Sequence, residues 1–308
     1  MEKQTSHYVR LASALLLLTG AAHAADRIGG IEFFGYTGKD IDAIRKALPV
    51  HVGGDYTGEA RARIRQAIHT TDVASVCCDA TGSTWVYIGL GGQAIRYLPK
   101  PTGQVRLSAE ISKLAANHDQ AIEAAVHKGG DSIQEDDSAG YALSHDPEAR
   151  AIELMIRDYA LQHEEELRKV LEESDNDDQR GMAAEALGYA RQSPEQIAAL
   201  VRACRDSNGD VRNNATRALG VLAESSAQAA AQIEPSLFIQ MIRSGKWTDR
   251  NKASMVLMQL TTTGDPKLLE ALKSQAMDAL REIAAWKDEG HALAAQVILD
   301  RIDHLNKP

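Results

Sequence analysis

From Asp146 onward, apolar residues return every third or fourth position almost without a break, the spacing that lines one side of a helix. Within that stretch one small pattern recurs: Arg180-x-x-Ala183-x-x-Ala186-Leu187, Arg212-x-x-Ala215-x-x-Ala218-Leu219, Arg250-x-x-Ala253-x-x-Val256-Leu257 and His291-x-x-Ala294-x-x-Val297-Ile298. These positions fall along one flank of a helix. Alanine there lets neighbouring helices approach, and the leucine or isoleucine supplies apolar volume. The interval from each copy to the next fits two helices and two turns, which predicts a stack of helix pairs over residues 146–304. Proline marks the second helix of each pair at Asp146-Pro147, Ser193-Pro194, Glu234-Pro235 and Asp265-Pro266. Such a start sets an acceptor at the N-cap and proline where a missing N–H costs nothing. Gln196 is expected to complete a capping box with Ser193.

Residues 27–98 carry a different pattern. Ile31-Glu32-Phe33-Phe34 is a short strand ending at Gly35, and Asp40 opens a helix through Ile41, Ile44, Ala47 and Leu48, which Pro49 and Gly53-Gly54 stop. A second helix from Glu59 to His69 follows, then Val73–Val76 and Trp85–Leu90 around an Asp79–Ser83 turn, a hairpin. The order strand, helix, helix, strand, strand predicts a small α+β module with one helical layer over a three-stranded sheet. Between the two regions, residues 99–145 read as a linker stiffened by Pro99 and Pro101, a helix from Leu107 to Val126 stopped by Gly129-Gly130, and an exposed acidic loop over 131–145. The fold class is mainly α, a helical solenoid preceded by this module.

Two resemblances refine that picture. Ile31-Glu32-Phe33-Phe34-Gly35, the Ile41-x-x-Ile44-x-x-x-Leu48-Pro49 helix, Gly53-Gly54-Asp55-Tyr56 and the hairpin together resemble a POTRA domain, a module of exported and outer-membrane-associated bacterial proteins. The run Asn208-Gly209-Asp210-Val211-Arg212 through Leu219-Gly220 is similar to a HEAT repeat of the short, bilin lyase-like type, and Asp177–Gly188 resembles it again. This second resemblance implies antiparallel helix pairs wound into a right-handed superhelix with a groove along one side.

The first residues qualify the rest. Lys3 and Arg10 precede the apolar run 11–18, and Ala22-His23-Ala24 follows, so residues 1–24 read as a signal peptide cut after Ala24. No later segment is apolar enough to span a bilayer. The mature chain is expected in the periplasm or secreted. A formal charge of −9 disfavours nucleic acid or anionic lipid as partner, since both need a concentrated basic face. The three cysteines read as small buried apolar residues, with a bridge from Cys204 to Cys77 or Cys78 as the alternative.

Candidate chemistry is thin. Arg180, Arg212 and Arg250 share one position, each closely preceded by an acid, Asp178, Asp210 or Asp249. The acids are expected to cap their helices and the arginines to bridge turns of adjacent repeats; a ligand-binding arginine row is the alternative. Hydroxylases of the short-repeat group hold iron through His-Glu pairs at the helix starts, where this chain has Arg180-Gly181, Arg212-Asn213, Arg250-Asn251 and His291-Ala292. His163-Glu164 is isolated and reads as a charged helix face. Glu123, His127 and Glu135-Asp136-Asp137 are acids and a histidine without metal-ligand spacing. Asp206-x-Asn208-x-Asp210 lacks the glycine and closing glutamate of a calcium loop, and Gly89-x-Gly91-x-x-Ala94 has no helix after it. No catalytic, metal or cofactor residues are assigned. The expectation is an exported, non-enzymatic scaffold binding an unknown protein or peptide of the cell envelope, with a protein-modifying enzyme of the bilin lyase-like or hydroxylase-like group, or a structural envelope protein, as alternatives.

Overall fold

The computed structural model describes residues 26–305 except 71, 78 and 80. The expected signal peptide lies outside the described residues. The described residues open with β1 (Asp26–Phe34), α1 (Ile41–Ala47), β2 (Asp55–Tyr56), α2 (Gly58–Ile68), β3 (Val73–Val76) and β4 (Thr84–Gly89). After an extended segment come α3 (Ala109–Lys128), the short strands β5 (Glu135–Asp136) and β6 (Leu143–Ser144), and α4 (Pro147–Glu173). The remainder is helical: α5 (Asp177–Leu187), α6 (Pro194–Ala203), α7 (Gly209–Ser225), α8 (Ala227–Ala230), α9 (Ser236–Met241), α10 (Trp247–Leu260), α11 (Pro266–Gln275), α12 (Met277–Ala284) and α13 (Glu289–His304).

The module's sheet has the order β2-β1-β4-β3, with β1 parallel to β4 and the outer pairs antiparallel. The two-residue β2 adds a strand to the three expected. Successive side chains of a strand point to opposite faces, and both faces are used. Ile31, Phe33, Val86 and Ile88 share a core with Ile64, against which Ile41 and Ile44 pack, so α1 and α2 cover that face. Phe34 and Tyr87 on the other face belong to the core of the helical region. The Tyr87 ring lies 4.8 Å from Trp247 and 5.1 Å from Trp286. The Trp286 indole donates to the carbonyl of Phe33 at 3.0 Å. The N-terminal module is therefore docked on the last repeats of its own chain.

The four motif copies lie on α5, α7, α10 and α13, which stack in that order. Ala183, Ala186, Leu187, Ala215, Leu219, Ala253, Val256, Leu257 and Ile298 are buried between them. Proline opens α4, α6 and α11, with Asp146, Ser193 and Asp265 accepting from backbone N–H groups of the first turn. Two capping expectations are corrected. Gln196 is fully buried and donates to the Leu187 carbonyl, so the box with Ser193 is only half formed. The Gln196 NH2 is turned to the Leu187 carbonyl at the end of α5, away from the return bond in which its oxygen would accept from the Ser193 N–H. At Glu234-Pro235 the proline is itself the N-cap of α9.

The segment read as a linker is a strap. The N–H groups of Gln93, Leu98 and Gly103 donate to the carbonyls of Arg243, Arg205 and Glu173, at 2.7, 2.7 and 2.9 Å. The strap thus crosses the turns before α10, α7 and α5 in reverse chain order. Close approach demands glycine twice: a Cβ on Gly92 would lie 2.2 Å from the Gly245 nitrogen, and one on Gly103 2.6 Å from the Glu173 oxygen. Nor is the acidic loop over 131–145 exposed throughout, since Ala142, Leu143 and Ser144 are buried. Glu135 pairs with Arg217, and Tyr141 carries the Arg157 guanidinium 3.8 Å above its ring. Cys204 is free and buried, its sulfur 3.2 Å from the Thr216 hydroxyl, and burial pushes its thiol up to about 12. The alternative bridge to Cys204 is therefore not formed. Cys77, read as a buried thiol, is instead disulfide-bonded.

Candidate functional site

Arg180, Arg212 and Arg250 are buried at 0%, 4% and 3% exposure. Each enters the first turn of its helix and folds back on the carbonyl six residues earlier: Ser174 for Arg180 at 2.9 Å, Asp206 for Arg212 at 2.9 Å, Ser244 for Arg250 at 2.6 Å. Each also reaches a carboxylate belonging to the next repeat. Arg180 grips Asp206 with two bonds of 2.8 Å, Arg212 holds Asp249 at 2.9 Å, and Arg250 holds Glu282 at 2.8 Å. A planar guanidinium with a fork of donors suits this double duty.

The acids expected to cap are placed otherwise. Asn176 and Asn208 cap α5 and α7, the first N–H of α10 (Trp247) donates to Asp72 of the module at 2.8 Å, and Asp178 and Asp210 are exposed. Asp249 accepts from Arg212, from the Tyr97 hydroxyl of the strap at 2.8 Å and from Ser244 at 2.9 Å. Strap and ladder interlock, since the Arg212 guanidinium also sits 4.0 Å over the Tyr97 ring. At the last copy His291 stands in the arginine's place. Its Nδ1 lies 2.8 Å from Asp288 and 3.1 Å from the Tyr87 hydroxyl, so the module receives the end of the row.

The other residues named from the sequence do not converge. His127 is 4.0 Å from Glu123 only, Glu135 is spent on Arg217, and Asp136 accepts from Ser138. His163 stacks on Tyr159 and Glu164 pairs with Arg168. Asp206 holds Arg180 while Asn208 caps α7. Among the described residues no group of three or more His, Cys, Asp or Glu could hold a metal ion.

One buried ionic cluster escaped the sequence reading. His118 on α3 lies 3.2 Å from Glu153 of α4 and 2.9 Å from Glu185 of α5. Burial alone would lower its pKa, but the bonds to Glu153 and Glu185 prevail and raise it to about 10. The folded value exceeds the unfolded one near 6.5, so the stabilisation is complete below about 6.5 and is lost as pH rises through about 10. Lys252, brought down to about 8 by burial, acts with the opposite sign. Wild type is therefore expected to lose a few kcal/mol relative to His118→Gln between pH 6.5 and 10, since a tenfold change in proton affinity is worth about 1.4 kcal/mol. Urea midpoints of the two proteins across that range check it, and parallel curves would rule it out.

Among the described residues two hollows stay open beside the strap, and the smaller, about 470 Å³, is lined by Gln93, Arg243, Arg250 and Glu282. A groove of about 810 Å³ runs between the strap and the helices α4 and α6. Leu98, Pro99, Pro101, Leu171, Ala198 and Ala199 give it apolar walls, and charged side chains of α4 and α6 flank them. Sequence reasoning saw Pro99 and Pro101 as extended but had no signal bringing them beside α6, because that proximity is made by the Leu98–Arg205 bond.

A family model described as HEAT repeats matches residues 164–237. No curated relative matches the chain. Among solved structures, a crystallised engineered protein is 20% identical, covering 63% of this chain and 89% of its own, with a TM-score of 0.41. A designed armadillo repeat protein is 15% identical, covering 62% and 91%, with a TM-score of 0.40. The helical region is thus a stack of repeats, HEAT-like over residues 164–237, with a small sheet-containing module at its N-terminal side.

Proposed function

We propose that this chain is an exported, non-enzymatic scaffold that holds a segment of another protein in the groove between strap, α4 and α6. The observation that carries the reading is the groove itself: a concave apolar surface with a polar rim is the form of a recognition site, while the arginines are consumed in stacking. Export is supported by Lys3, Arg10, the apolar run 11–18 and Ala22-His23-Ala24, and by the disulfide at Cys77, a bond that persists in oxidising compartments. The order of β1, α1, α2, β3 and β4 supports the POTRA-like reading of the module, and the Arg212 copy the bilin lyase-like form of the repeat. Among the described residues no helix is long and apolar enough to cross a membrane.

A photo-reactive residue at Ala199, in the groove, is expected to give a discrete protein adduct in intact cells. The same residue at Lys267, exposed on α11, is expected to give none. The protein isolated from the envelope fraction is expected to begin at Ala25 by intact mass. Equal labelling at both positions, or none at either, would sink the proposal.

A further inference from the structure

We infer that the groove's occupant is an extended, basic segment of a partner protein, whose apolar side chains enter the groove while its lysines or arginines meet carboxylates at the rim; this rests on the scaffold reading. The rim's charges are largely spoken for. Lys100 pairs with Asp177 at 3.0 Å, Arg202 with Glu172 at 3.3 Å and Arg168 with Glu164, while Asp206 is held by Arg180. Among the described residues, Glu165, Glu173 and Glu195 are left without an ion-pair partner, against Lys169 alone on the cationic side. All four are exposed. The unspent charge is therefore negative, as is the whole chain at −9. An acidic segment would meet three carboxylates against the single cation of Lys169, and a basic one complements that excess.

The extended form follows from the walls. The strap is itself extended backbone tied to the repeats, and the groove runs alongside it. Pro99 and Pro101 offer no N–H at the groove, so they weaken this wall as an edge for strand addition. Recognition then falls to side chains: small apolar ones against Ala198, Ala199 and the two prolines, cationic ones against Glu165, Glu173 and Glu195. No rim residue takes part in the arginine ladder except Asp206, so the rim can be altered without touching the stack.

Fluorescence anisotropy of the full chain with a short labelled peptide of alternating valine and lysine, beside its valine–glutamate counterpart, tests this. The lysine peptide is expected to bind about tenfold more tightly, from three exposed charge pairs. The triple change Glu165→Gln, Glu173→Gln and Glu195→Gln should abolish that preference, and Ala199→Arg should abolish lysine-peptide binding. Glutamate-peptide binding as tight as the lysine peptide's, or a preference unchanged in the triple variant, overturns the inference. So does binding that survives Ala199→Arg. If neither peptide binds while the Ala199 cross-link still forms in cells, the basic partner is wrong and the scaffold reading stands.

Discussion

Replacing Arg180 with alanine is expected to cost about 3–5 kcal/mol, the loss typical of removing one partner from a buried ion pair. The side chain is fully buried and makes two bonds to Asp206, one to the Ser174 carbonyl and one to Asp177 at 3.0 Å. Its removal strands a carboxylate that is itself 7% exposed, with only Asn208 N–H at 2.7 Å and a long Ser207 hydroxyl contact remaining. Lysine is expected to recover little, because a single ammonium cannot reproduce the two-bond grip on Asp206 and the bond to Ser174 together. Arg180→Met combined with Asp206→Asn should recover part of the loss, since no bare carboxylate is then left buried. Urea denaturation of the four proteins measures this. A loss under about 1 kcal/mol for Arg180→Ala would mean that the ladder does not hold the repeats together.

The ladder shows why much of this fold was legible and where legibility stopped. The copies at Arg180, Arg212 and Arg250 are local signals, since helical spacing, Pro147, Pro194 and Pro266 act within a turn or two of themselves. Bridging of turns by the arginines could be anticipated for the same reason. Their carboxylates could not be identified, because Asp206, Asp249 and Glu282 sit at different places in their repeats and are matched only by the stack. The acids nearest in sequence, Asp178 and Asp210, attracted the capping role that Asn176 and Asn208 perform.

The strap illustrates the same limit on a larger scale. Pro99, Pro101 and Gly103 announce an extended segment, and extended segments between folded regions usually read as linkers. Nothing local reveals that Gln93, Leu98 and Gly103 meet carbonyls each seven residues before a ladder arginine: Arg243, Arg205 and Glu173. That match exists only once the repeats are stacked. The groove inherits the difficulty, since its walls come from the strap, α4 and α6.

Glu282→Ala is expected to loosen the module on the last repeats, at a cost of about 3–5 kcal/mol. Glu282 is where ladder and module meet. Its carboxylate accepts from Gly35 N–H at 2.7 Å, Tyr36 N–H at 2.9 Å, and the Thr37 N–H and hydroxyl, both at 3.1 Å, besides Arg250 at 2.8 Å. Alanine leaves the Arg250 guanidinium buried without its carboxylate and orphans the Gly35–Thr37 donors together. Glutamine should be nearly as damaging despite its shape. Whichever way its amide is turned, an NH2 group faces donors that a carboxylate satisfied on both oxygens. Because Trp286 and Tyr87 still pack across the junction, the expected product is a loosened module on an intact solenoid. Hydrogen exchange should therefore accelerate at Gly35–Thr37 and along β1 and β4, with α5 and α7 keeping their protection. Unchanged exchange at Gly35–Thr37 in Glu282→Ala would show that the Tyr87 and Trp286 contacts dock the module without Glu282.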